Sequence, residues 1–218
     1  MATQAVHLQT RIESKTLPIT LRNAEVKDAA RFAAILSDPS NDSDPNASKI
    51  DTATAEKFIT QMRKSATQPT ILGTDGTVIS GPGRVNMVVV LAGSQGDEGT
   101  VIGLGGYGAI KDWVRDGRKV RAGDAGVMID PAYRGKGYAT EAMKMAIDWA
   151  FTPVSAGGPQ LDLVTITTVV DNSAMIKLVD EKLDLKNKGQ RRESPEEDTN
   201  GAIEMYYEFN KGQWDSRP

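Results

Sequence analysis

The sequence predicts a single mixed α/β domain, and three observations carry that expectation. Strand-type runs and helical apolar stripes follow one another in the order β, α, α, β, β, β, α, β, α, β. Consecutive strand-type runs are joined by short polar turns, which implies antiparallel hairpins. No repeat occurs and no linker divides the chain, so its 218 residues suit one domain with a sizeable core.

The elements follow in order. Residues 1–17 read as a flexible tail, 18–210 as the domain and 211–218 as a second tail. "ITLRNA" (19–24) is a first strand. "EVKDAARFAAILSD" (25–38) has Val26, Ala29, Ala30, Ala33 and Leu36 near helical spacing. "PSNDSDPNASK" (39–49) is a polar loop, and Asp51 or Thr52 caps a helix over roughly 52–65. "RVNMVVVLAG" (84–93) and "TVIGLGGYGAI" (100–110) are strands joined by the turn "SQGDEG". "DAGVMID" (124–130) is a strand and "YATEAMKMAIDWAF" (138–151) a helix. That helix carries Ala139, Met143, Ala146, Ile147 and Ala150 on one stripe and stops at Thr152-Pro153. "LDLVTITTVV" (161–170) is a β-branched, buried strand. "NSAMIKLVDEKL" (172–183) is a helix capped by Asp171 or Asn172. "KNKGQRRESPEEDTNG" is an exposed loop around a possible strand, and "AIEMYYEFN" (202–210) closes the sheet.

Composition narrows the chemistry. The net charge is −3 with acids and bases interspersed, which argues against nucleic acid or an anionic membrane as partner. No apolar run approaches the roughly 20 residues that span a bilayer, and the start has no apolar signal core, so a cytoplasmic place is expected. Cysteine is absent, which removes disulfides, thiolate metal sites and a cysteine nucleophile. The only histidine, His7, lies in the expected leader, so neither a His-based triad nor a metal site is expected. Chemistry falls to carboxylates, tyrosines, backbone groups and a bound cofactor.

Two glycine-rich runs compete for that cofactor. "GLGGYG" (103–108) fits G-x-G-x-x-G literally, but a dinucleotide site needs that motif between a strand and a helix. The following "AIKDWVRDGRKV" has no helical apolar stripe and breaks at Gly117. The run reads instead as mid-strand, either bent by a bulge or flooring a substrate pocket into which Tyr107 looks. "IDPAYRGKGYATEAM" (129–143) has the context the first run lacks: a strand end, a short loop and a helix start. A helix N-terminus presents unpaired N–H groups and roughly half a positive charge. Gly135 and Gly137 remove the Cβ atoms that would block approach, and Arg134 and Lys136 add charge, so the corner suits an anion. It lacks the G-K-[ST] ending of a P-loop. A plain solvated turn is the alternative.

"YRGKGYATEA" resembles the acetyl-CoA loop of the GCN5-related N-acetyltransferases (GNAT superfamily), whose signature is R/Q-x-x-G-x-G/A. Arg134, Gly137 and Ala139 fill it, with Gly135 and Lys136 as spacers. The extended stretch is most similar to the branch that includes the ribosomal-protein N-terminal acetyltransferases. The resemblance implies a central, mostly antiparallel, splayed sheet flanked by helices. It implies acetyl-CoA as co-substrate, no metal, and a small-molecule or peptide amine as acceptor; a homodimer is possible. It assigns coenzyme A contacts to Met128, Ile129, Arg134, Gly135, Lys136, Gly137, Tyr138, Ala139 and Thr140, with the pyrophosphate at the glycine corner. A backbone N–H near Met128 or Ile129 would polarise the acyl carbonyl, in the gap between the strands 125–130 and 161–170. Asn172 matches an asparagine that the family often places near the thiol-side arm of the cofactor; it is equally an ordinary N-cap.

Two departures stand out. Many relatives carry a tyrosine seven residues after that asparagine as the acid for the leaving thiolate, and here the position is Val179. Relatives also end the helix with Gly-Phe, where this chain has Asp184-Leu185. Tyr107, Tyr206, Tyr207 or solvent can substitute as the acid, and Tyr207 is carried forward as the catalytic candidate. For the base, Asp124 at the start of its strand is the candidate, beside the reading of a solvated turn aspartate; Glu204 and Glu208 are further choices. Without a cysteine, transfer is expected to be direct. Two rival classes remain: a non-catalytic acyl-CoA-binding module, favoured by Val179, and an NAD(P)-binding oxidoreductase using "GLGGYG".

Overall fold

A computed structural model describes residues 3–93, 98–195 and 202–217. Its frame is an eight-stranded sheet. In chain order the strands are β1 (Gln4–Ala5), β2 (Arg11–Glu13), β3 (Ile19–Asn23), β4 (Thr70–Leu72), β5 (Val78–Ser80), β6 (Val85–Leu91), β7 (Thr100–Arg115), β8 (Arg118–Ile129), β9 (Leu163–Val169), β10 (Gly189–Glu193) and β11 (Ile203–Phe209). The helices are α1 (Ala29–Leu36), α2 (Thr52–Ala66), α3 (Tyr138–Ala150), α4 (Ser173–Lys177) and α5 (Lys211–Asp215). The large sheet runs β10-β11-β9-β8-β7-β6-β3-β2, and β1, β4 and β5 form a small second sheet.

Every described ladder is antiparallel except β8–β9. That pair is parallel because α3 carries the chain back between the strands, as a crossover must. Two cores result. On one face α3 buries Met143, Ala146 and Ile147 with Tyr107, Ile129 and Ile166. On the other, α1 and α2 bury Phe32, Ile35 and Ile59 against Val88, Leu104 and Met128.

Three expectations need correction. β7 and β8 continue past residues 110 and 124 into one long hairpin, closed by Asp116 (φ 51°) and Gly117 (φ 72°). Two consecutive positive φ values are what a two-residue hairpin turn requires, so Gly117 joins strands that its presence seemed to end. The first 17 residues are not a tail. β1 pairs with β4, β2 pairs with β3, and His7 is fully buried. His7 Nε2 lies 2.7 Å from Thr70 Oγ1, and its ring meets Trp149 edge-on at 5.4 Å. Burial, then the charge of Arg121, pushes the imidazole down to about 4. The other end is packed too: α5 buries Trp214, which stacks on Phe209 at 5.6 Å. Of the expected turn 94–99, residues 94–97 lie outside the described residues, as do 196–201 of the expected loop.

The "GLGGYG" run lies wholly inside β7, with no helix after it, so the oxidoreductase reading falls. Pairing shifts between Tyr107/Ala125 and Ala109/Asp124, leaving Gly108 as the extra residue of a bulge. The β8–β9 ladder is only three pairs long and ends at Asp124/Thr165. Bulge and ladder end coincide, and from there β8 and β9 part.

Candidate active site

The glycine corner is built as an open cradle. Asp130 Oδ1 accepts from the Ala132 amide at 2.9 Å and starts a single turn over Pro131–Tyr133. Gly135 (φ 76°) and Gly137 (φ 83°) follow, both in the left-handed region that other residues enter at a cost. Gly137 is the N-cap of the 13-residue α3 and provides no side chain to cover the free amides. A Cβ at Gly135 would meet nothing within 4 Å, so its missing side chain leaves space for a ligand and relieves no crowding.

Arg134 has more work than its charge suggested. Its Nε donates to the Ile129 carbonyl at 3.2 Å, both terminal nitrogens donate to the Ser40 carbonyl at 3.3 Å, and one also donates to Asn41 Oδ1. It therefore fastens the loop after α1 to the corner. Arg31 pairs with Asp130 at 2.5 Å and ties α1 to the same place. Lys136 sits 5.5 Å over the Tyr133 ring and is absent from the groove wall.

A groove of about 430 Å³ runs from this corner. Arg134, Gly135, Gly137, Tyr138, Ala139 and Thr140 line it, and so do Met128, Ile129 and Asn172. All nine were expected on the cofactor side. Asn172 is buried, and its Oδ1 accepts from the Met175 amide at 3.2 Å, so it caps α4 while facing the groove. The helix expected over 172–183 is α-helical only to Lys177 and widens to a π-turn over Leu178–Lys182. Val179 in that turn is fully buried and offers no acid.

A second groove of about 390 Å³ adjoins the first, and Asp44, Val127, Met128 and Met175 line both. They meet where β8 and β9 part. The Asp130 amide bonds back to Ile102 in β7 at 2.9 Å. Strand alternation then turns the Met128 amide toward β7, and those of Val127 and Ile129 toward the side where the β9 ladder has ended. Of the two expected amide donors, Ile129 faces the opening and Met128 contributes a side chain.

Asp124 stands at the parting, mid-strand and not at the strand start that was expected. Its Oδ1 accepts from Thr165 Oγ1 at 2.8 Å and Thr167 Oγ1 at 3.0 Å. Burial pushes its carboxyl up to about 6, against the pull of the two hydroxyls. It lines the second groove, so a carboxylate that changes charge near neutrality faces the space beside the cradle.

Neither named tyrosine reaches that space. Tyr107 belongs to the α3 face: it is fully buried and its hydroxyl donates to the Ala146 carbonyl at 2.9 Å. Its glycine neighbours, Gly106 and Gly108, line the groove instead. Tyr207 is also fully buried and donates to Asp180 Oδ1 at 2.8 Å. Burial and that carboxylate push its phenol well above the usual range, which makes it a packing residue and not an acid. Tyr206 donates to Glu208 at 2.6 Å, Glu208 pairs with Arg115 at 2.5 Å, and Glu204 pairs with Arg192 at 2.7 Å. The residues that sequence reasoning missed are Ser40, Asn41 and Asp44 in the first loop, with Phe32, Phe58 and Met62 across the second groove.

A mixed, mostly antiparallel sheet flanked by helices thus parts beside the glycine corner at the start of α3. The acetyltransferase (GNAT) domain profile matches residues 19–185, and the chain belongs to that family of acetyltransferases. No curated protein sequence matches it. Among solved structures, a GNAT-family acetyltransferase from Bacillus anthracis is similar over 93% of this chain and 99% of its own, at 15% identity and a TM-score of 0.62. Mycobacterium smegmatis RimJ in complex with CoA-disulfide is similar over 96% and 88%, at 16% identity and 0.57. The microcin C7 self-immunity acetyltransferase MccE, in complex with acetyl-CoA and AMP, is similar over 88% and 92%, at 14% identity and 0.58. At these identities the likeness is one of fold, and the ribosomal-protein branch is not singled out. No helix among the described residues is long and apolar enough to cross a membrane.

Proposed function

We propose that this chain passes the acetyl group of acetyl-CoA directly to a primary amine, with Asp124 accepting the amine's proton. One observation carries the reading: the groove from the glycine cradle and the groove lined by Asp124 adjoin, sharing Asp44, Val127, Met128 and Met175 beside the end of the β8–β9 ladder. The cradle fits the cofactor, since two left-handed glycines and a long helix start leave bare amides for a pyrophosphate. Acetyl-CoA would supply an acyl group already activated as a thioester. The chain's own tasks are then to hold both reactants, to polarise the acyl carbonyl and to take a proton.

Val127 and Ile129 present the amides for polarisation. Asp124 takes the proton, held in place by two threonine hydroxyls that steady its ionised form. Solvent protonates the departing thiolate, because Val179, Tyr107 and Tyr207 are all buried away from the junction. RimJ and MccE, solved with coenzyme A species, lend the cofactor assignment support by analogy. The test is mass-spectrometric detection of acetylated product from acetyl-CoA and an amine and peptide panel, beside calorimetry with coenzyme A. Product without any covalent acetyl-enzyme is expected; coenzyme A that fails to bind would overturn the reading.

A further inference from the structure

Two opposite charges flank one row of the sheet inside the second groove. Val85, Tyr107 and Ala125 pair in line across β6, β7 and β8, and all three lie in the core on the α3 face. Successive residues of a strand face opposite sides, so the residues just before Val85 and Ala125 turn to the other face. Those residues are Arg84 and Asp124, and both line the second groove. β6 and β8 run in the same direction, each being antiparallel to β7, so the two lie toward the same end of the row. Two inter-strand steps, roughly 10 Å, separate their backbones. Between them β7 offers Gly108, where an added Cβ would meet nothing within 4 Å, so β7 puts no side chain between the charges.

Arg84 is fixed at its backbone and free at its head. Ser65 Oγ, near the end of α2, accepts from the Arg84 amide at 3.1 Å and donates to the Arg84 carbonyl at 3.1 Å. The guanidinium has no hydrogen-bond or ion-pair partner among the described residues. Among the described residues that line this groove Arg84 is the one cation, and the carboxylates are Asp44 and Asp124. Asp44 also lines the cofactor groove, and its Oδ1 already accepts from the Asn46 amide at 2.9 Å. Negative charge therefore stands on the cofactor side and positive charge two strands away, on β6. The wall also carries Phe32 from α1, with Phe58 and Met62 from α2. In a groove with apolar walls a free guanidinium repels a second cationic group and attracts an anionic one. Its planar fork takes a carboxylate through two parallel hydrogen bonds. One guanidinium balances one negative charge, which suits a carboxylate over a doubly charged phosphate.

We propose that the acceptor is an amino acid in the broad sense: a primary amine that carries a carboxylate on an apolar body. The amine lies toward Asp124, the carboxylate on the Arg84 guanidinium, and the apolar body against Phe32, Phe58 and Met62. This rests on the acetyltransferase reading, and deepens it to a substrate class. The ammonium gives one proton to Asp124, its nitrogen bonds the acetyl carbon and the carbon–sulfur bond breaks. The second nitrogen proton passes through water to the sulfur, and the carboxylate is unchanged.

The test offers the full chain two matched pairs, phenylalanine with phenylethylamine and ε-aminocaproate with hexylamine, and also spermidine. Acetyl-CoA is the donor, and coenzyme A binding is measured in parallel by calorimetry. In at least one pair the acid is expected to exceed the plain amine in kcat/KM by ~10-fold or more, the scale of charge-assisted hydrogen bonds. Arg84→Gln should erase that ratio and Arg84→Glu should invert it, with coenzyme A affinity unchanged. Both variants keep the Ser65 bonds, which the backbone makes, and a thermal melt checks that they fold. A ratio near one in both pairs, a ratio that survives Arg84→Gln, or spermidine used better than either acid would overturn the inference and leave the acetyltransferase reading intact. If nothing is acetylated the inference also fails, and calorimetry then tells whether coenzyme A binding fails with it.

Discussion

Replacing Asp124 by Asn separates catalysis from stability, because the same burial serves one and opposes the other. The carboxyl titrates near 6 in the folded protein and near 3.9 in an unfolded chain. Below about 3.9 both states are protonated and the group is neutral to stability. Between the two values the folded state holds more protons than the unfolded one, so stability falls as pH rises. Above about 6 the penalty is complete, at about 3 kcal/mol for a difference of this size. An amide resembles the protonated carboxyl and still accepts from Thr165 and Thr167. Asp124→Asn should therefore stabilise the protein at pH 8 by up to about 3 kcal/mol, a rise in Tm of roughly 6–12 °C for a chain of this length. The gain should shrink to nothing toward pH 4. Activity should move the other way: wild-type kcat/KM climbs with pH through about 6, and the variant loses that rise together with ~10²-fold or more in rate. Thermal melts of both proteins from pH 4 to 8, beside pH–rate profiles, measure it. A Tm difference that does not change with pH, or a variant with the wild-type profile, would refute the argument that a half-buried, ionising Asp124 is the base.

Arg134→Ala should weaken coenzyme A binding by about 1–3 kcal/mol in calorimetry. Because Arg134 also holds Ser40 and Asn41, limited proteolysis should cut the 39–49 loop faster in that variant. Gly137→Val should abolish coenzyme A binding and cost about 1–2 kcal/mol in a melt, since valine is strained at φ 83° although only Leu17 lies near its Cβ, at 3.7 Å. Tyr207→Phe should lose about 0.5–1.5 kcal/mol with the Asp180 hydrogen bond and keep full kcat; a large drop in kcat would restore Tyr207 as the acid.

The glycine corner was legible because everything it needs is local. Strand end, loop and helix start lie within the fifteen residues 129–143, and the dihedral freedom of Gly135 and Gly137 belongs to those residues alone. Residues 19–23, 52–66 and 138–150 were legible for the same reason, since their periodicity and caps are written within one turn or one strand. What the sequence could not settle depends on contacts between distant segments. His7 reads as a leader residue until Thr70 and Trp149 close over it. Tyr107 and Gly108 differ by one position, and only the pairing of Tyr107 with Val85 and Ala125 decides that the tyrosine joins the α3-face core while Gly108 lines the groove. Asp124 looks like any surface aspartate. Only the folded sheet sets it beside Thr165 and Thr167 at the end of the β8–β9 ladder, which partly buries it, raises its pKa and leaves it on the wall of the second groove.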